Sequence, residues 1–147
     1  MTVVEEGVMT IVTSNNNNTR NNKNKIFLVD DELDISYTLS TVLQDNGFES
    51  DSFTDPILAL TNYKTNFYDL VILDIKMPGM DGFELCKKIR EMDPKVKICF
   101  LTASEMFYEE YREARFQLSD KIGEEFFIQK PTKNEELIRK INRIINS

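Results

Sequence analysis

The sequence predicts an α/β fold, a doubly wound five-stranded parallel sheet with five helices. Two observations carry that prediction. Short continuous apolar runs recur along the chain, as strands buried on both faces require. Between them, apolar residues repeat at helical spacing. Ile26-Phe27-Leu28-Val29 is the first run, and the helix after it carries Ile35, Leu39, Val42 and Leu43 on one face, with Gly47 placed to end it. Phe48-Glu49-Ser50-Asp51-Ser52-Phe53 is polar between apolar ends and suits an edge strand. Asp55-Pro56 sets an N-cap before a proline at the first helical position and opens a helix through Leu60. Leu70-Val71-Ile72-Leu73 is the third strand, followed by a helix with the stripe Phe83, Cys86 and Ile89. Ile98-Cys99-Phe100-Leu101 is the fourth, after which Ser104 can cap a helix whose apolar face is Phe107, Tyr111, Ala114 and Leu118. Phe126-Phe127-Ile128 is the short last strand. Thr132-Lys133-Asn134-Glu135 then reads as a capping box ahead of Leu137, Ile138, Ile141 and Ile145.

A chain of 147 residues implies one domain. Residues 1–24 stand apart: their Asn-rich run, Asn15 to Asn24, cannot offset its ordering entropy by burial, so a flexible N-terminal tail is expected there and a folded domain over 25–147. Cys86 and Cys99 form no CxxC pair and read as two buried thiols. No apolar run approaches the length of a membrane span, and Glu5 and Glu6 stand where a signal peptide is basic, so a cytoplasmic location is expected. The net charge of −7 argues against direct binding to nucleic acid. The chain has no histidine, which removes histidine-activated nucleophiles, histidine metal ligands and histidine as a phosphoryl carrier.

The acids fall where such a fold binds ligands. In an open parallel sheet of order 2-1-3-4-5, the flavodoxin-like order, ligands sit beyond the carboxyl ends of the strands at the switch between the first and third. The first strand runs into Asp30-Asp31 and the third into Asp74. Asp31 alone reads equally well as a helix cap or a ligand. Three carboxylates in one cleft are a different matter, because two like charges 4 Å apart repel by about 4 kcal/mol at an effective dielectric near 20. Hard oxygen ligands of this kind suit Mg²⁺. Thr102 follows the fourth strand and Lys130 the fifth. A hydroxyl and an ammonium at the same edge suit a phosphoryl group on Asp74.

Asp30-Asp31, the stretch Asp74-Ile75-Lys76-Met77-Pro78-Gly79-Met80-Asp81-Gly82, Leu101-Thr102-Ala103 and Lys130-Pro131 together resemble the receiver domain of two-component response regulators. The resemblance runs from Lys25 to the end of the chain. It implies a phosphoacceptor switch: Asp74 takes a phosphoryl group from a phosphohistidine on a partner histidine kinase or phosphotransfer protein. Asp31, Asp74 and the backbone carbonyl of Lys76 would hold Mg²⁺, with Asp30 in support. Lys130 would pair with Asp74 and then the phosphate, and Thr102 would bond a phosphoryl oxygen. Phe127 falls at the family's aromatic switch position, although a core phenylalanine that never moves reads as well. Lys130-Pro131 resembles the family's cis-proline step. Lys76 and Ser104 fall where the family tunes the lifetime of the acyl phosphate. The missing histidine agrees, because the donor must come from another chain.

The chain departs from the pattern between Thr102 and Lys130, where it is longer by about one and a half helical turns, and Glu124 follows Gly123 where alanine is usual. The family signals through the face of the fourth helix, last strand and last helix. The lengthened segment, 104–123, is therefore expected to make an unlike partner surface, and the same face is a candidate for homodimerisation. Two other functions compete. An aspartyl-phosphate hydrolase of the haloacid dehalogenase kind needs an acid two residues after the nucleophile, where Lys76 stands. A degenerate receiver serving as an interaction scaffold has usually lost an acid or the lysine, and none is lost here. A stand-alone receiver, not a turnover enzyme, is the expectation.

Overall fold

A computed structural model describes residues 23–102, 127–130 and 133–147. Its elements in chain order are β1 (Lys25–Val29), α1 (Leu33–Asp45), β2 (Glu49–Phe53), α2 (Pro56–Asn62), β3 (Leu70–Asp74), α3 (Gly82–Met92), β4 (Ile98–Thr102), β5 (Phe127–Gln129) and α4 (Asn134–Ile145). All neighbouring strands are parallel, in the order β2-β1-β3-β4-β5. The predicted fold class and strand order are those observed. Four helices lie among the described residues. The expected helix after Ser104 falls outside them, as do Pro131, Phe126 and all but the last two residues of the 1–24 tail.

Alternation along the strands sorts the core into two layers. Phe27, Val29, Val71, Leu73, Phe100 and Phe127 face α2 and α3. Ile26, Leu28, Leu70, Ile72, Cys99, Leu101 and Ile128 face α1 and α4. Every residue of β3 and β4 is buried, which explains why both are apolar up to their last residues, Asp74 and Thr102. β2, the polar strand, lies at one edge and keeps most of its residues partly exposed. Both cysteines are free and buried, and burial pushes the Cys99 thiol up to about 12.

The helix ends follow local chemistry. Gly47 adopts φ +87° after α1; its N–H meets the Gln44 carbonyl at 3.1 Å and that of Phe48 meets Leu43 at 3.0 Å. That is a Schellman closure with its apolar partner pair, Leu43 and Phe48, in one core layer. The Asp55 carboxylate caps α2 through Ile57 N at 2.9 Å, and Asp81 caps α3 through Glu84 N at 2.9 Å. The C-terminal helix departs from the predicted capping box. Its cap position is Lys133, one residue later, with no side-chain cap bond, and Thr132 lies outside the described residues. Ile144 joins Leu137 and Ile141 on its buried face, and the predicted Ile138 and Ile145 are partly buried against the same layer.

Candidate functional site

Register brings the site together. β1 pairs with β3 so that Val29 stands beside Leu73, and the next residues, Asp30 and Asp74, leave adjacent strand ends side by side. By alternation both belong to the layer of Leu28 and Ile72, under α1. Asp30 is fully buried and Asp74 nearly so. One oxygen from each of Asp30, Asp31 and Asp74 lies within 4.8 Å of the others. Asp31 does not cap α1, since that position is held by Glu32, whose side chain makes no cap bond. Asp30 Oδ1 instead accepts from Glu32 N–H at 2.9 Å, which turns the chain into the helix and fixes the carboxylate.

Lys130 comes from the far side. β5 is two strand spacings from β3, about 10 Å, so only a long side chain reaches back over β4. Its backbone N–H is anchored on the Thr102 carbonyl at 2.7 Å. Its Nζ lies 2.9 Å from Asp30 Oδ2, 3.3 Å from Glu32 Oε1 and 3.4 Å from Asp74 Oδ1. Burial acts to discharge this ammonium, but the bond to Asp30, the charges of Asp30 and Asp74, and the bond to Glu32 outweigh it and raise its pKa. Asp74 is in the opposite situation. Burial, then the charge of Asp30, push its carboxyl up to about 7; Lys130 pulls against them and Asp31 adds to the rise. Three carboxylates against one ammonium leave the cleft short of about two positive charges, and the donors are all hard oxygens. Octahedral Mg²⁺ at about 2.0–2.1 Å from each ligand places its oxygens about 3 to 4 Å apart, close to the spacing here. The residues fit that ion.

Of the other predicted residues, Thr102 is buried at the end of β4, and by alternation it shares a layer with Phe100 and Phe127 rather than with Asp74. Phe127 is already turned inward, stacked on Phe100 with centroids 5.4 Å apart. The Lys76 side chain is exposed on the loop after β3. Two contributors escaped the sequence reading. Glu32 shares Lys130, and its signal was a third acid directly after Asp30-Asp31. Gly82 opens α3 with its N–H on the Ile75 carbonyl at 2.8 Å, and a Cβ there would stand 2.3 Å from the backbone oxygen of Asp74. Glycine is what lets α3 start against the end of β3.

Comparison with known proteins converges on one family. The family model described as "Response regulator receiver domain" matches residues 26–142. The transcriptional regulatory protein RprY of Bacteroides fragilis is 32% identical over 123 residues, covering 84% of this chain and 50% of RprY. CreB of Escherichia coli, also a transcriptional regulatory protein, is 29% identical over 120 residues, 82% of this chain and 50% of CreB. The chain thus spans about half the length of these curated relatives. Among solved structures, the non-phosphorylated HemR receiver domain of Leptospira biflexa aligns with TM-score 0.72 at 29% identity, covering 85% of this chain and 96% of that one. Vibrio cholerae chemotaxis protein CheY4 aligns with TM-score 0.69 at 27% identity, covering 83% and 98%. No helix among the described residues is long and apolar enough to cross a membrane.

Proposed function

Because the chain belongs to the response regulator receiver domain family, we propose that it is a phosphoacceptor switch in which Asp74 takes a phosphoryl group from a phosphohistidine of a partner kinase or phosphotransfer protein. The observation that carries this is the setting of Asp74: a buried carboxylate at a strand end, flanked by two more acids and facing Lys130 at 3.4 Å. An Asp74 oxygen attacks phosphorus, the P–N bond breaks, and its electron pair leaves with the partner's imidazole. The product is an aspartyl phosphate. Asp31 and Asp74, with the Lys76 backbone carbonyl and Asp30 in support, are the residues that would hold Mg²⁺. Bound there, the ion supplies charge neutralisation to the transferring group.

The chain's own groups do the rest. Lys130 neutralises charge that develops on the phosphoryl oxygens, and its pairing with Asp30 holds it in place for this. Thr102 would donate its hydroxyl to a phosphoryl oxygen. Because it shares a layer with Phe100 and Phe127, movement of Thr102 would change the space beside that ring. Phenylalanine has no hydroxyl to hydrogen-bond, so a signal through Phe127 is steric. Output then passes to another protein surface, with no turnover chemistry.

Incubation with acetyl phosphate and Mg²⁺, followed by intact mass, tests this. The wild type gains one phosphoryl group; Asp74→Asn gains none, and chelating the ion abolishes the gain. No gain in the wild type, or an equal gain in the variant, favours the alternative, a constitutive receiver that acts as a binding scaffold.

A further inference from the structure

We infer that Glu32 is a positioning residue that holds Lys130 at the rim of the cleft and sets how readily a doubly charged phosphodonor reaches Asp74. The inference rests on the reading of Asp74 as acceptor. Lys130 Nζ is shared three ways, and it stands nearer to Asp30 Oδ2 (2.9 Å) and Glu32 Oε1 (3.3 Å) than to Asp74 Oδ1 (3.4 Å). The three partners differ in kind. Asp30 is fully buried and has its other oxygen tied to the Glu32 N–H, so its carboxylate is fixed where it pairs with Lys130. Asp74 is the reacting group. Glu32 has a side chain 59% exposed, makes no cap bond to α1, and places its carboxylate on Lys130.

An ion pair with one exposed partner is weak and screened by salt, so it exchanges readily. Glu32 therefore serves as a replaceable counter-ion. It satisfies Lys130 while the cleft lacks a phosphoryl group, and it is given up when a phosphoryl oxygen takes its place. It also has a cost in rate: its negative charge stands at the mouth that an anionic donor must pass, and it offsets the attraction of Lys130. Transfer from acetyl phosphate is the step affected. An Asp74 oxygen attacks phosphorus, the bond to the acetate oxygen breaks, and acetate departs with the electron pair.

The test compares wild type, Glu32→Gln and Glu32→Lys at saturating Mg²⁺, reading the second-order rate constant for phosphorylation by acetyl phosphate. At low salt the rate is expected to rise about threefold for Gln and further for Lys. In about 1 M salt, where the Debye length falls to about 3 Å, the three rates converge. Thermal unfolding of the variants tracks the wild type, since Glu32 is exposed. A Gln rate at or below that of the wild type at low salt overturns the inference. So does an increase of the same size at both salt concentrations, which is the mark of a purely steric or structural effect. A wild type that gains no phosphoryl group is a distinct result: it overturns the acceptor reading, and this inference with it.

Discussion

The two ends of the sheet bury carboxylates in opposite ways. At the carboxyl ends of the strands, Asp74 is almost wholly buried beside Asp30 and Asp31, shares Lys130 with Asp30 and Glu32, and is pushed up to about 7. At the other end, Asp93 is equally buried, but its Oδ2 accepts the Tyr63 hydroxyl at 2.7 Å and the Asn66 N–H at 3.2 Å. Asp51 likewise accepts the Tyr68 hydroxyl at 2.7 Å. Burial and these bonds push both tyrosines far above their ordinary range, which keeps them as donors. Around them Phe27, Tyr63 and Tyr68 pack ring on ring at centroid distances of 5.0 to 5.2 Å. One end spends its polar groups on being satisfied. The other leaves charge in want of a cation, and this is the end that can do chemistry.

The largest contrast comes from removing the acid at each end in turn. If Asp74 is the acceptor we propose, Asp74→Asn is expected to lower phosphorylation by acetyl phosphate at least about 100-fold, since it deletes the proposed nucleophile, while leaving the fold intact by circular dichroism. Asp93→Ala should leave the phosphorylation rate near that of the wild type. It strips the acceptor from the Tyr63 hydroxyl and the Asn66 N–H, and is expected to cost about 2–3 kcal/mol in urea unfolding. Equal loss of phosphorylation in both variants would erase the distinction between the ends.

Gly82→Ala sharpens it by straining the Asp74 end without touching its charges. The added Cβ must displace the Asp74 backbone carbonyl, at an expected cost of about 1–2 kcal/mol, together with slower phosphorylation. Gly79→Ala meets nothing within 4 Å, and is expected to act only through its φ of +85°. Comparing the two separates backbone strain from crowding of Asp74.

The last contrast is a pH slope. Asp74 holds its proton more tightly in the folded chain than in the unfolded one. Without divalent cations, ionising it therefore works against the fold. The penalty is absent below about pH 4, grows as pH rises, and is complete above about 7. Stability of the wild type relative to Asp74→Asn should fall across that window, and Mg²⁺ should reverse it. A parallel pH dependence in the two proteins would show that Asp74 is not the group carrying the charge strain.

Much of this was legible in the residues themselves. The unbroken apolar runs marked β1, β3 and β4, and the polar Glu49–Phe53 marked an edge. Asp55-Pro56 and Gly47 mark helix ends because caps act on groups within a few positions of themselves. The acids after β1 and β3 could be placed together once the strand order was inferred. The C-terminal cap slipped by one residue, since neighbouring polar residues at a helix start differ little in energy.

The sequence by itself determined which segments become strands and helices, and which acids, hydroxyl and lysine leave the strand ends, because those depend on patterns among near neighbours. Only the tertiary structure decided how far apart those groups stand. Glu32 and Lys130 are 98 positions apart, and Tyr63 and Asp93 are 30. Their meeting depends on strand order, register and side-chain reach. So does the close approach that admits only glycine at position 82. Local patterning sets the alphabet of the site, but the sharing of one ammonium among three carboxylates is a matter of distances, and distances between remote residues exist only once the sheet is assembled.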